Sequence, residues 1–266
     1  MKIALWQTHP IHDLAEALAA LDHAASEATH LGADVLITPE LMLGGYNVGP
    51  ARIAELGNRC EQIVTEVSGV ARRHGIAIVC GLAEAGQGRP YNTALAIGAD
   101  GRELMRYRKT HLFGDVDAAQ FDKGPALPEV FSLGEWRAGL AICYDIEFPE
   151  LTRHLAAQGA DVILTPTANM QTFSSISARV VPSRAEENGL FIAYANYIGE
   201  EPPFAYGGCS CVCGPDGEDL ARATSTESTL LIARLERDLI TQVRASIHYL
   251  QDRRDDLYTT TQEPPA

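Results

Sequence analysis

The segment Leu31-Gly-Ala-Asp-Val-Leu-Ile-Thr-Pro39 recurs as Gln158-Gly-Ala-Asp-Val-Ile-Leu-Thr-Pro166, with the Gly, Ala, Asp, Val, Thr and Pro positions unchanged. Gly-Ala-Asp ahead of an aliphatic run is in itself a common helix-to-strand connection. Here, however, each copy follows a strand–helix pair. Before the first copy, residues 2–8 read as a buried strand and 12–31 as a helix, with Leu14, Leu18, Leu21, Ala25 and Ala28 at helical spacing and Gly32 as its stop. Before the second copy, 137–144 (RAGLAICY) reads as a strand, and 149–158 as a helix opened by Pro149 and closed by Gly159. The copies themselves give strands at 34–38 and 161–165.

Working outward, a helix is expected over 53–74, then strands at 76–83, 91–98 and 103–108, the last two joined by the hairpin turn signal Asp100-Gly101. In the second half a helix near 178–188 leads into a strand at 190–197. Strands near 207–213 and 229–234 follow, separated by Pro215-Asp216-Gly217. Two such βαβ-like halves can stack their sheets face to face with helices outside. The expected fold class is α/β, a four-layer αββα sandwich related by a pseudo-two-fold. The chain is expected to form one domain over residues 1–250, with a polar C-terminal tail at 251–266 that ends in Pro264-Pro265-Ala266.

With 266 residues, 46% of them hydrophobic, burial suffices without metal or disulfide staples. The charge balance of 21 basic against 35 acidic residues gives −14, a field that repels phosphate backbones and anionic lipid. No nucleic-acid or membrane partner is therefore expected. No apolar stretch approaches the ~20 residues needed to span a bilayer. The opening Met1-Lys2-Ile3-Ala4-Leu5-Trp6-Gln7 turns polar too early for a signal peptide, so a cytoplasmic location is expected. Cysteines at 60, 80, 143, 209, 211 and 213 form no disulfide framework and read as free thiols. Cys209-Ser-Cys211-Val-Cys213 puts three thiols on one strand face. Zinc sites favour pairs two to four residues apart with a second pair elsewhere, so small residues packing between layers are expected instead. Gly81 and Gly86-Gln-Gly88 lack the Lys-Ser/Thr word of a phosphate loop. No metal or other cofactor is expected.

Three polar residues stand where strands end: Glu40 after VLITP, Lys109 after ELMRYR, and Cys143 in AICYD. Ligands gather beyond the carboxyl ends of strands in α/β sheets. A thiol is mostly protonated at neutral pH and needs activation, a carboxylate can take its proton, and a fixed ammonium can stabilise charge building on a carbonyl oxygen. Together they suit acyl transfer through a thioester. Taken singly, each has a bland reading: a buried cysteine is usually an inert small hydrophobe, the glutamate could cap a helix, and the lysine could be solvated.

The words around these residues carry more. Thr-Pro-Glu40-Leu with Gly-Tyr46-Asn, Tyr-Arg-Lys109-Thr-His-Leu-Phe113, and Ile-Cys143-Tyr-Asp-Ile-Glu-Phe-Pro-Glu150 together resemble the nitrilase superfamily of carbon–nitrogen hydrolases. Pro166-Thr-Ala-Asn169-Met, Arg184-Ala-Glu-Glu-Asn188 and Gly207-Gly-Cys-Ser extend the resemblance over roughly residues 1–235. It implies the αββα sandwich and a triad of Glu40 as base, Lys109 as oxyanion stabiliser and Cys143 as nucleophile. It also implies that the Tyr144 backbone N–H completes the oxyanion hole, and that the protein forms a homodimer or a larger homo-oligomer. Tyr46, Asn169 and Met170 are candidates to line the substrate pocket. His111 reads as structural support, and Asp145 and Arg184 as an ion pair or hydrogen-bonded brace near the nucleophile.

One departure stands out. Members commonly carry a second glutamate several residues after the lysine, and no Glu occurs here between Lys109 and Phe121. Asp117 is the nearest match, one methylene shorter, and a surface-loop role for it is equally open. Cys-Tyr-Asp with Phe-Pro-Glu looks like amidases, whereas Cys-Trp-Glu tends to mark nitrilases. The expected function is a cysteine-dependent amidase that hydrolyses a small-molecule linear carboxamide to acid and ammonia through a thioester. A nitrilase or N-carbamoyl hydrolase with the same triad, or a non-catalytic member, is the alternative.

Overall fold

The computed structural model describes residues 1–258. The first half holds β1 (Lys2–Gln7), α1 (Leu14–His30), β2 (Val35–Ile37), α2 (Pro50–Asn58), α3 (Cys60–His74), β3 (Ala77–Glu84), β4 (Tyr91–Ile97), β5 (Glu103–Arg108) and α4 (Gly114–Gln120). The second holds β6 (Phe131–Leu133), β7 (Trp136–Leu140), α5 (Pro149–Ala157), β8 (Val162–Pro166), α6 (Val181–Asn188), β9 (Phe191–Ala195), β10 (Ile198–Glu201), β11 (Phe204–Gly207), β12 (Cys211–Cys213), β13 (Asp219–Arg222) and β14 (Thr229–Arg234). Helices α7 (Arg237–Ser246), α8 (Tyr249–Asp252) and α9 (Asp255–Tyr258) follow. Of the expected polar tail, residues 259–266 lie outside the described residues.

One six-stranded sheet runs β14-β1-β2-β3-β4-β5, and the other, read from its far edge, runs β6-β7-β8-β9-β12-β13. Position by position the two sheets correspond, with the echoed segments as β2 and β8. In both, the second to fourth positions are parallel strands: β1, β2 and β3 pair in parallel, as do β7, β8 and β9. The motif's residues explain its repetition. Gly32 (φ 75°) and Gly159 (φ 84°) take the left-handed turn that ends each helix. Asp34 N donates to the Lys2 carbonyl (2.7 Å) and its carboxylate accepts from Lys2 N (2.7 Å). Asp161 does the same with Arg137, at 2.7 and 3.0 Å. Each Asp thus fixes the register between two parallel strands.

Side-chain alternation along the strands separates the layers. Ile3, Leu5, Val35, Ile37 and Val79 face the second sheet and share a core with Leu140, Val162 and Leu164. Ala4, Leu36, Ile78 and Cys80 face outward and pack with Leu14 and Leu21 of α1 and Val67 of α3. The αββα sandwich expected from the sequence is the observed architecture. Among the described residues no helix is long and apolar enough to cross a membrane.

Several boundaries differ from the sequence reading. The helix expected over 53–74 is two helices broken at Arg59. Gly57-Asn58 is a weak helix-forming pair, and Gly57 sits so close to the backbone of residues 84–85 that an added Cβ would lie 3.3 Å from Ala85 N. The strand expected over 137–144 stops at Leu140. Cys143 instead opens a tight 3-10 turn, Cys143–Glu147, with its own φ at +45°. The strand near 207–213 is split by Gly208 (φ 56°) and Cys209 (φ 54°). Short elements with little periodicity (α4, β6, β13 and the β10–β11 hairpin) are not legible in the pattern, and the sequence reading also missed α7, although its buried Ile240 and Val243 stand at helical spacing.

Candidate active site

Beyond the carboxyl ends of β2, β5, β7 and β8, buried polar side chains converge. Glu40 follows β2 by three residues and is fully buried. Its backbone turns sharply, with Leu41 at φ 50°, against Gly81 of β3. A Cβ on Gly81 would collide with the Leu41 amide, so only glycine lets the Glu40 turn lie on that strand. Glu40 N donates to the Thr167 carbonyl at 3.2 Å, tying the turn to the equivalent position after β8.

Lys109 follows β5, where its N–H donates to the Asn92 carbonyl of β4 (2.8 Å). Its ammonium is fully buried and donates to Glu40 Oε1 and to Asp117 Oδ2, both at 2.7 Å. The third ammonium hydrogen remains for another acceptor. Asp117, on α4, is also fully buried. Its Oδ2 further accepts from Phe113 N (2.9 Å), and its Oδ1 accepts from the Tyr46 hydroxyl (2.8 Å). It therefore lies in the buried cluster rather than on a surface loop, with both oxygens engaged.

Two carboxylates share one ammonium in a buried cluster, so one of them must hold its proton more tightly. Burial raises the proton affinity of Glu40, Lys109 opposes this and the Asp117 charge adds to it; the sum is above the ordinary carboxylate range. Burial alone would discharge Lys109, but Asp117 and Glu40 outweigh it and hold the ammonium well above its usual value. Glu40 Oε1 is further held by Asn92 Nδ2 at 2.7 Å, while Glu40 Oε2 is buried with no hydrogen-bond partner. One oxygen is anchored and the other is left free as an acceptor.

Cys143 is partly exposed and free. Burial and the Glu40 charge push its thiol up, and Lys109 opposes them. It rests as a neutral thiol that needs a base. Its turn is braced by Asp145, whose Oδ2 accepts from Ile142 N (3.1 Å) and the Tyr107 hydroxyl (2.9 Å), and whose Oδ1 accepts from His111 N (3.1 Å). The same Oδ1 lies 2.8 Å from His111 Nδ1. Asp145 so joins the Lys109 segment to the Cys143 turn, and His111, stacked on Phe148 at 3.8 Å, supports it as expected from the sequence. Arg184 does not pair with Asp145. It donates to the carbonyls of Ile146 (3.2 Å) and Glu147 (2.9 Å), closing the far side of the turn.

Of the other sequence candidates, Tyr144 sets its ring edge-on to Phe113 (5.4 Å) and Phe148 (4.9 Å) beside the cluster. The Tyr46 hydroxyl is committed to Asp117. Asn169 donates its side-chain amide to the Phe173 carbonyl (3.1 Å) and its N–H to Asn196 Oδ1 (2.8 Å). Met170 packs with Tyr46, Ala168 and Tyr206. Sequence reasoning missed Asn92, which anchors Glu40. Its only signal is an asparagine at the start of a strand otherwise apolar after Thr93. A surface groove of about 680 Å³ lies at the opposite end of the strands among Asp34, Ala77, Gly98 and Trp136, and includes none of this cluster.

Comparison with known proteins gives the family. Residues 2–245 match the carbon-nitrogen hydrolase family model. A protein described as a hydrolase in the pqqF 5′ region of Pseudomonas protegens is 41% identical over 97% of this chain and 90% of its own length. An (R)-stereoselective amidase from a Pseudomonas species is 34% identical over 83% of this chain and 80% of that one. An amidase from Nesterenkonia sp. AN1, solved with acrylamide added at its active-site cysteine, superposes with a TM-score of 0.86 at 35% identity, covering 97% of this chain and 98% of that chain. The chain belongs to the carbon–nitrogen hydrolase family of the nitrilase superfamily.

Proposed function

We propose that this protein is a cysteine-dependent amidase that hydrolyses a linear carboxamide to the acid and ammonia. The observation that carries the reading is the division of labour at Glu40, with Oε1 fixed by Lys109 and Asn92 and Oε2 buried without a partner. In the reaction Glu40 Oε2 takes the Cys143 proton as the sulfur attacks the amide carbon. The oxygen gains charge and is met by the remaining Lys109 hydrogen and the Tyr144 N–H. Glu40 returns the proton to the nitrogen and ammonia leaves, giving a thioester. Water then gives a proton to Glu40 and attacks the acyl carbon, and the acid leaves as Cys143 is restored. Neither a metal nor an organic cofactor enters these steps. The amidases among its relatives support an amide over a nitrile substrate. The aromatic rim of Phe113, Tyr144 and Phe148 suits the apolar part of the substrate. We further place the protein in the cytoplasm as a homodimer or larger homo-oligomer, with residues 1–250 as one hydrolase domain.

A panel of aliphatic and aromatic carboxamides, matching nitriles and N-carbamoyl amino acids, read by ammonia release, tests the reading. Ammonia from carboxamides at rates well above those from the other two classes is expected. Turnover of nitriles alone, or of nothing on the panel, rejects it.

Asp117 supplies a sharper test. Its negative charge raises the proton affinity of Glu40. Asp117→Asn removes that charge while keeping the shape, so Glu40 becomes a weaker base. The acid limb of the pH–rate profile should move to lower pH, and the plateau rate should fall by about tenfold or more. An unchanged profile and rate would move Asp117 out of the site.

A further inference from the structure

Away from the catalytic cluster, at the β12–β13 edge of the second sheet, three donors converge. Cys211 and Cys213 are fully buried on one face of β12, with their sulfurs 4.0 Å apart. A register shift between Val212 and Cys213 sets Cys213 opposite Asp219 of the edge strand, with Sγ 3.4 Å from Asp219 Oδ1. All three donor atoms lie within 4.8 Å of one another. The sequence predicts only small residues packing between layers. It does not reveal that the hairpin returns a carboxylate to the thiol pair.

We propose that Cys211, Cys213 and Asp219 form a binding site for one thiophilic divalent d10 cation, with zinc or cadmium as its type. A tetrahedral zinc with bonds of ~2.3 Å to sulfur and ~2.0 Å to oxygen holds its sulfurs ~3.8 Å apart and a sulfur–oxygen pair ~3.5 Å apart. The 4.0 Å between the sulfurs and the 3.4 Å from Cys213 Sγ to Asp219 Oδ1 match these spacings with shifts of a few tenths of an ångström. A disulfide is the competing fate for two close thiols. Positions i and i+2 of an extended strand hold their Cα atoms near ~6.7 Å apart, at the outer limit for that bond.

Charge favours the cation as well. Arg222 grips Asp219 from two of its three guanidinium nitrogens, Nε to Oδ2 at 2.6 Å and Nη2 to Oδ1 at 2.8 Å, and Nη2 also donates to the Ser177 carbonyl at 3.0 Å. Empty, the group is two neutral thiols, one carboxylate and one guanidinium, with zero net charge. Binding a divalent cation with release of both thiol protons leaves two thiolates, the carboxylate, the guanidinium and the cation, again zero. A buried site tolerates that exchange far better than one that changes charge. Asp219 keeps more than a third of its side chain exposed, which gives the ion access from the sheet edge and leaves room for water as a fourth ligand.

The test titrates reduced, chelator-treated protein with cadmium. A Cys143→Ala background removes the catalytic thiol from the count. The readouts are the ultraviolet thiolate-to-cadmium band, proton release and melting temperature. One equivalent bound, two protons released and a raised melting temperature are expected. Cys213→Ser should abolish the band. Asp219→Asn, at an exposed position that leaves both thiols in place, should weaken binding by at least ~10-fold. Circular dichroism checks that each variant is folded, and Cys211→Ser replaces Cys213→Ser if that one is not. Absence of a thiolate band, or a band and affinity undiminished in the folded serine variant or in Asp219→Asn, overturns the proposal.

Discussion

Cys143→Ala should give a folded protein that releases no measurable ammonia from carboxamides, a loss of at least ~10⁴-fold. The argument is chemical. Without the sulfur no thioester forms, and the Glu40–Lys109 pair can only present water to an amide that is not covalently held. The fold should survive, because one partly exposed sulfur is removed from a turn held by Asp145 and Arg184, which the substitution leaves in place. A change in stability within ~1 kcal/mol is expected from chemical denaturation. Substantial turnover by folded Cys143→Ala would reject the thioester route.

The ease of reading Cys143 and the difficulty of reading its surroundings have the same origin. Strand ends that carry Glu40 and Lys109 could be placed because periodic apolar runs precede them. The Gly-Ala-Asp echo located the central strands of both sheets because glycine and aspartate do fixed jobs there, ending a helix and locking register. The turn at Cys143 was hidden because Ala141 and Ile142 continue the apolar look of β7 while Asp145, three residues on, captures the Ile142 N–H and bends the chain. Asn92 and Asp145 act through partners 52 and up to 38 residues away, and no local pattern announces such contacts. The placement of Asp117 in the buried cluster was likewise a matter of where α4 packs, which the few residues of that helix do not specify. The pairing of Cys213 with Asp219 depends on a bulge that shifts register by a single residue.

Lys109→Ala should damage both rate and fold. The ammonium donates 2.7 Å bonds to Glu40 and Asp117, and all three side chains are sealed from solvent. Removing it leaves two buried carboxylates facing each other across an unfilled space. Breaking a buried pair in this way costs about 3–5 kcal/mol, part of which is recovered if one carboxyl takes up a proton. Proton uptake sets the direction with pH. The variant should be relatively more stable at acidic pH, where a carboxyl is protonated, and should lose stability as pH rises and the second carboxylate is forced to ionise. Activity should fall at least ~10²-fold even where the fold holds, because the developing oxyanion loses its charged donor and Glu40 loses the contact that aims it. Denaturation across a pH series beside ammonia release separates the two effects. An enzyme of near-native rate and stability would remove Lys109 from the cluster's chemistry.

The most direct measurement is the mass of the protein during turnover. Wild-type protein mixed with a good carboxamide, quenched in acid within the first turnovers and digested, should carry the substrate's acyl group on the peptide containing Cys143. The adduct should appear together with the first equivalent of ammonia and disappear as the acid is formed. Turnover of the same amide with ammonia released and no acyl group ever found at Cys143, or with the acyl group on another side chain, would contradict a thioester formed by this cysteine.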